Sequence, residues 1–162
     1  MDLDYFLMHQ LNNKFTNQPI LIDRLIIANL SNHNPQDFFP GDWHGTKECY
    51  VLTPRRYLYG LVFRPDRRAG NGYWKGTTPG NVIFGKDGLV GVKKNLCFYE
   101  GDQSQHSGLQ TNWKMIEYRL QHHICSIKCD HEHGRVDNWV LCKIYEDFGP
   151  EALFSQMERM NI

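Results

Sequence analysis

The sequence predicts an α+β fold that is mainly β, a twisted antiparallel sheet flanked by an N-terminal helix and short helices. Three observations lead there. From Cys49 onward, short runs rich in Val, Ile, Tyr, Phe and Trp recur between Gly, Pro, Asn and Asp, the composition and punctuation of strands joined by turns. The first residues instead space their apolar side chains by three and four, the interval of a helix face. A length of 162 residues, 41% of them hydrophobic and 22% charged, suffices for one globular domain with its own core and no covalent staples.

Taken in order, DLDYFLMHQLNNK places Leu3, Phe6, Leu7 and Leu11 on one helical face, with Asp2 and Asp4 near its positive N-terminal end. The Ile-rich ILIDRLIIANL admits either a short buried strand or a helix. SNHNPQDFFPGDWHG is dense in turn formers and reads as loop with one helical turn. CYVLT, GYWKGTT, NVIF, LVGVKKNLCFYE, NWKMIEYRL and NWVLCKIYE then follow as strands of an antiparallel meander. In NWKMIEYRL, Trp113, Met115, Glu117 and Arg119 face one way and Lys114, Ile116, Tyr118 and Leu120 the other. Apolar groups on both faces suit a sheet covered on each side. Gly91 marks a bulge or a break between two strands. Residues 121–138 read as a polar surface loop, and PEALFSQMERMN, with Pro150 at its start and Leu153, Met157 and Met160 spaced by four and three, as a C-terminal helix. The expected organisation is a domain over 1–146 and a short helical tail over 147–162.

Lys+Arg and Asp+Glu balance at 18 each, yet residues 51–100 hold nine cations (Arg55, Arg56, Arg64, Arg67, Arg68, Lys75, Lys86, Lys93, Lys94) against three acids (Asp66, Asp87, Glu100). A basic centre between acidic flanks is the footprint of a polyanion site, and also of an ordinary solvated face. No apolar run reaches the length of a membrane span, and Asp2 and Asp4 replace the basic start of a secretory leader. The five cysteines are odd in number and form no small-scaffold framework, which points to a reducing compartment. No nucleophile, base and orienting partner fall together, since His44, Cys97 and Glu117 are scattered, so an enzyme is not expected. Cys125, Cys129, His131 and His133, with His122 and His123, are zinc-type ligands, but they lack the intervening element of a zinc finger. They read as part of a variable loop, and no cofactor is expected.

Four segments bear on function. FRPDRRAGNGYWKGTTPGNVI carries Arg64, Arg67, Gly72, Tyr73, Trp74, Lys75 and Thr77; VGVKKNLCFYEG carries Val90, Gly91, Lys93, Lys94, Leu96, Phe98, Tyr99 and Gly101; TNWKMIEYRL and NWVLCKIY follow. In this order and spacing they resemble the conserved blocks of the NAC (NAM/ATAF/CUC) domain of plant transcription factors: an Arg, a second Arg three residues on, then GYWKATG; VGxKKxLxFYxG; TxWxMHEYRL; and the closing block. The resemblance implies sequence-specific binding of double-stranded DNA with a CGT-type core, location in the nucleus, and a strand from Trp74 to Thr78 presented to the major groove. The implied contacts are Arg64, Arg67, Tyr73, Trp74, Lys75, Thr77, Lys93 and Lys94. Tyr73 and Trp74 read more readily as strand-supporting aromatics than as base-stacking ones. Lys93 and Lys94 alternate across a strand, so at most one faces DNA. Arg55, Arg56 and Arg68 read as surface charges.

The chain departs from the pattern in four places. The family's opening LPPGFRFHPTDEELxxYFL is represented only by DLDYFL, so the resemblance implies an N-terminally shortened domain and argues against homodimerisation by the family's route. WKGTTPG replaces WKATGxD, giving Gly76 and Thr78 new places. The loop of residues 102–110 has no lysine. The chain also ends soon after the domain. These departures leave an alternative, an interaction protein impaired in DNA binding that modulates full-length relatives.

Overall fold

The computed structural model describes residues 2–43, 45–55, 66–85, 88–102, 108–120 and 139–148. Helix α1, Leu3–Phe15, starts at Asp2, whose side chain accepts from the Asp4 amide, and carries Lys14 in its last turn. Carboxylate at the start and ammonium at the end both oppose the helix dipole. Leu7 and Leu11 are buried as expected, and Phe6 partly so, but Met8 joins them while Leu3 stays 46% exposed. The apolar face is turned toward Met8, and Leu3, one turn earlier, lies beyond the packed surface. Gln10 is also buried and accepts from the Leu21 amide, tying the chain after the helix back onto it.

The ambiguous Ile-rich segment yields only a two-residue strand, β1, Ile26–Ile27. Two turns of 3-10 helix follow, Leu30–Asn32 and Pro35–Phe38. In the second, Pro35 supplies the preset start and the Asp37 carboxylate accepts from the Asn34 amide at 2.8 Å. The remaining strands are β2 (Glu48–Pro54), β3 (Arg68–Ala69), β4 (Gly72–Gly76), β5 (Asn81–Phe84), β6 (Val90–Glu100), β7 (Leu109–Leu120) and β8 (Trp139–Glu146). They form one sheet in the order β1-β2-β8-β7-β6-β4-β3, with β5 also on β6. Every pair is antiparallel except β1 with β2.

The expected meander holds from β3 to β8, but β2 departs from it by joining the far side of the sheet beside β8. Val51 and Leu52 explain why: both are fully buried, and consecutive strand residues point to opposite faces. Such a strand needs neighbours and a cover on either side, which β8, β1 and the two flanking layers supply. The expected break at Gly91 is also corrected. Strand β6 runs through it, and the register irregularity lies between Cys97 and Tyr99. Gly91 is instead a close approach, since a Cβ there would sit 2.9 Å from the Arg119 carbonyl and 3.0 Å from Met8 Cε of α1.

The predicted alternation of β7 is borne out and divides two cores. On one face, Tyr118, Leu120, Leu141 and Leu52 pack against Leu7, Met8 and Leu11 of α1. On the other, Trp74, Leu96, Phe98, Trp113, Met115 and Ile144 pack under Phe38 and Phe39. Phe39 stacks on Trp113 (5.3 Å, 26°) and meets Trp43 edge-on. The turn-rich chain thus covers the face that the helix does not. Among the described residues no helix is long and apolar enough to cross a membrane. The loop expected over 121–138, the Cys125, Cys129, His131 and His133 set, Arg64 and the helix expected after Pro150 lie outside the described residues.

Candidate nucleic-acid interface

Strands β4 and β5 both run antiparallel to β6 and lie end to end along it, so together they form one interrupted edge strand. The Gly76↔Leu96 register would bring residue 79 opposite Lys93, but Asn81 stands there. Two residues are therefore extruded around Thr78, Pro79 and Gly80, all of them exposed. Strand β3 covers only the start of β4, through Arg68↔Tyr73 and Ala69↔Gly72. From Lys75 onward no strand among the described residues pairs the outer edge, which is left available to a partner.

Lys75 is exposed, with its ammonium 5.6 Å from the centroid of the Tyr99 ring. Tyr99 in turn stacks on Tyr73 (5.5 Å, 9°), and these two are register partners. This cross-strand pair is a platform over which the lysine ammonium lies, on the Tyr99 ring. Thr77 is also exposed, and its amide and hydroxyl both donate to the Asn95 carbonyl, at 3.0 and 3.2 Å. With that proton committed, its hydroxyl offers only lone pairs outward. Tyr73 and Trp74 are buried, and Trp74 meets Phe98 edge-on at 5.1 Å within the core. The two lysines of β6 separate as alternation requires. Lys93 faces α1, where its ammonium is 3.2 Å from Asp4, which also accepts the Tyr118 hydroxyl at 2.7 Å. Lys94 shares a face with Leu96 and Gly76, opposite to that of Lys75.

Arg67 does not reach the edge. Its guanidinium lies within the sheet's second face and holds the Glu117 carboxylate through two bonds, Nη1 to Oε2 and Nη2 to Oε1 (3.2 Å). Arg55, expected to be a surface charge, is likewise drawn in, 4.0 Å from Glu117 with an 11% exposed side chain. Glu117 itself is 3% exposed. Burial pushes its carboxyl up, but the charge and hydrogen bonds of Arg67, with Arg55 and Arg119, outweigh this and hold it below the usual range. The same cluster acts on Lys94, where burial and then the charge of Arg67 lower the ammonium's pKa, against the opposing pull of Glu117. Arg68 is on the surface as expected, forked onto Asp66 at 3.0 and 2.8 Å. Nothing local in the sequence marks Arg55 or Asn95 as parts of this site, because their partners come from other strands; Gly76 is marked by the motif, but its contact with Lys94 is not.

A strand edge left unpaired among the described residues and carrying an exposed ammonium, braced by aromatics on one side and on the other by an ionic cluster with more arginines than carboxylates, is suited to a polyanion. The model of the family described as "No apical meristem (NAM) protein" matches residues 3–120. The chain is 38% identical to NAC transcription factor 32 of Arabidopsis thaliana over 148 residues, 91% of this chain and 56% of that protein. It is 33% identical to NAC domain-containing protein 2 of Solanum lycopersicum over 94% of this chain and 54% of that one, and 41% identical to NAC domain-containing protein 72 of Arabidopsis thaliana over 72% and 37%. It spans about half the length of the first two. The match takes in α1, the β4 edge and β7 with its buried Glu117, and on it the chain belongs to the NAC (NAM) family.

Proposed function

We propose that the chain binds double-stranded DNA sequence-specifically and regulates transcription in the nucleus, presenting the WKGTT segment, whose strand part ends at Gly76 rather than at Thr78, to the major groove. The observation that carries this reading is the edge beyond β3, unpaired among the described residues, with Lys75 exposed on it. A major groove about 12 Å wide admits a β element. In this reading Lys75 donates to a base edge or phosphate, and Thr77 accepts from a base amino group. Arg64 and Lys94 address phosphates. Tyr73, Trp74 and Arg67 act by holding the strand, and Lys93 by holding α1. The target contains a CGT-type core, residues 1–146 are the binding unit, and no enzymatic step is involved. Relatives named as transcription factors support the reading.

Fluorescence anisotropy with a CGT-containing duplex and a scrambled one tests it. Lys75→Ala should cost about 1–3 kcal/mol on the CGT duplex and narrow the preference over the scrambled one. Equal binding of both duplexes by both proteins would sink the reading. Pairing with intact relatives is a second reading, favoured by Leu21 and Ile27, which are 71% and 66% exposed near the opposite edge of the sheet. Co-precipitation with a full-length relative, lost in Ile27→Lys, checks it.

A further inference from the structure

Gly76 has no side chain at the place where Lys94 crosses it. An added Cβ would stand 2.7 Å from Lys94 Cε and 3.2 Å from Nζ. Those atoms are the far end of a flexible side chain, so an alanine here forces Lys94 aside without straining the backbone. Gly76 and Lys94 lie on one face of the edge strand and Lys75 on the other, as the registers Gly76↔Leu96 and Lys75↔Cys97 require. The strand edge is thus flanked by one ammonium on each side. On the Lys94 side, Arg67 and Arg55 are drawn to the buried Glu117, whereas the end of the Lys94 side chain lies over the edge strand at Gly76.

We infer that Gly76 is a slot that delivers Lys94 across β4 to the backbone phosphates on one wall of the DNA major groove, while Lys75 addresses the opposite wall. This rests on the reading of the β4 edge as the DNA-contacting element and deepens it, naming the groove wall that Lys94 meets and the residue that positions it. An element seated in a groove has one phosphate backbone on either side, so cations on its two faces meet different strands. Gly76 is a positioning residue, since it touches no DNA and acts through Lys94. The lowered pKa of Lys94, from burial and neighbouring cations, accords with an ammonium held in place along the strand.

The test compares wild type, Lys94→Gln, Gly76→Ala and the double variant on a CGT-containing duplex over a range of NaCl concentrations. Lys94→Gln should reduce the slope of log K against log salt by about 0.9, the loss of one phosphate contact, with affinity down about threefold to tenfold at low salt. Gly76→Ala should reproduce most of that loss with its melting temperature unchanged, and the double variant should be no worse than Lys94→Gln. Uncharged methylphosphonates on one DNA strand should erase the effect of Lys94→Gln, and on the other strand that of Lys75→Gln. A wild-type slope in Gly76→Ala, additive losses in the double variant, or both lysines mapping to one strand would overturn the inference. An NMR titration of the Lys94 ammonium in the free protein separates the two levels. Its pKa should rise toward the ordinary value in Gly76→Ala, and an unchanged titration refutes the slot. Failure of wild type to bind DNA refutes the underlying reading and the phosphate contact with it, whatever the titration gives.

Discussion

Glu117 shows how one residue type changes meaning with its surroundings. On an exposed strand it would be a solvated acid; here it is the buried centre of an ionic cluster built by Arg67 and Arg55. Removing one partner of a buried pair strands the others, so Glu117→Ala should lower stability by about 3–5 kcal/mol at neutral pH. Because the folded carboxyl sits below its usual 4.5, its contribution is fully present above that value and is lost as pH falls through the lower folded one. Urea denaturation should therefore show the gap between wild type and Glu117→Gln narrowing below pH 4.5. The buried thiols behave in the opposite sense. Burial, with Glu48 nearby, pushes Cys49 up to about 12, and burial raises Cys142 well above the ordinary range. Iodoacetamide at pH 8 should spare both in the native protein and modify both after denaturation, as read by peptide mass mapping.

At the scale of elements, α1 is joined to the sheet by packing, by a polar tie at Asp4 and by Lys14, whose ammonium lies 4.8 Å from the centroid of the Trp139 ring. Leu7, Met8 and Leu11 supply the apolar burial, worth about 1.5–3 kcal/mol for each large side chain. Asp4 supplies the tie, receiving both Tyr118 and Lys93. Asp4→Ala leaves the Tyr118 hydroxyl buried without its acceptor and should cost about 1–3 kcal/mol. Adding Tyr118→Phe should recover part of that loss in the denaturation midpoint, and no recovery would show that the tie contributes little. The edge made by β4 and β5 follows a different logic. Tyr73 and Trp74 of β4 are buried and anchor it, Phe84 of β5 is 69% exposed, and the extruded Thr78, Pro79 and Gly80 interrupt the ladder. A hairpin mate would close such an edge; among the described residues none does, which leaves a rim of backbone groups available to a partner.

For the whole molecule, a sheet with a core on each face must keep two covers in place at once. Leu11→Ala on the helix side should cost about 2–5 kcal/mol and Phe39→Ala on the turn side about 3–5. The two sites share no partners across the sheet, so their effects should add, with the urea m-value unchanged if the sheet unfolds as one unit. An m-value that falls in one variant would instead show the two layers separating. The charge distribution belongs to this scale too. The net charge of zero hides a basic centre, and the fold sorts that centre further, turning Arg55 and Arg67 inward and leaving Lys75 at the rim.

The sequence by itself determined the elements whose signal is local. Apolar spacing marks the helix from Leu3, alternation marks β7 with both its faces, turn residues separate β4 from β5, and the GYWKGTT and EYRL blocks carry the family. Lys75 and Thr77 were legible as candidate contacts because the motif locates them, whereas their exposure follows no alternation: Tyr73 and Trp74 are both buried and Lys75, Gly76 and Thr77 all exposed. What required the tertiary structure was everything decided by residues distant along the chain. The place of β2 beside β8 depends on burial on both faces, which no local pattern encodes. Gly91 reads as a break until Met8 of α1 is seen packed on it. Arg67 and Glu117 are fifty positions apart, so only the assembled sheet shows that the arginine is held inside. For Lys93 and Lys94, alternation established that they part company, but which one meets the helix and which crosses Gly76 was settled by the layer that packs on each face.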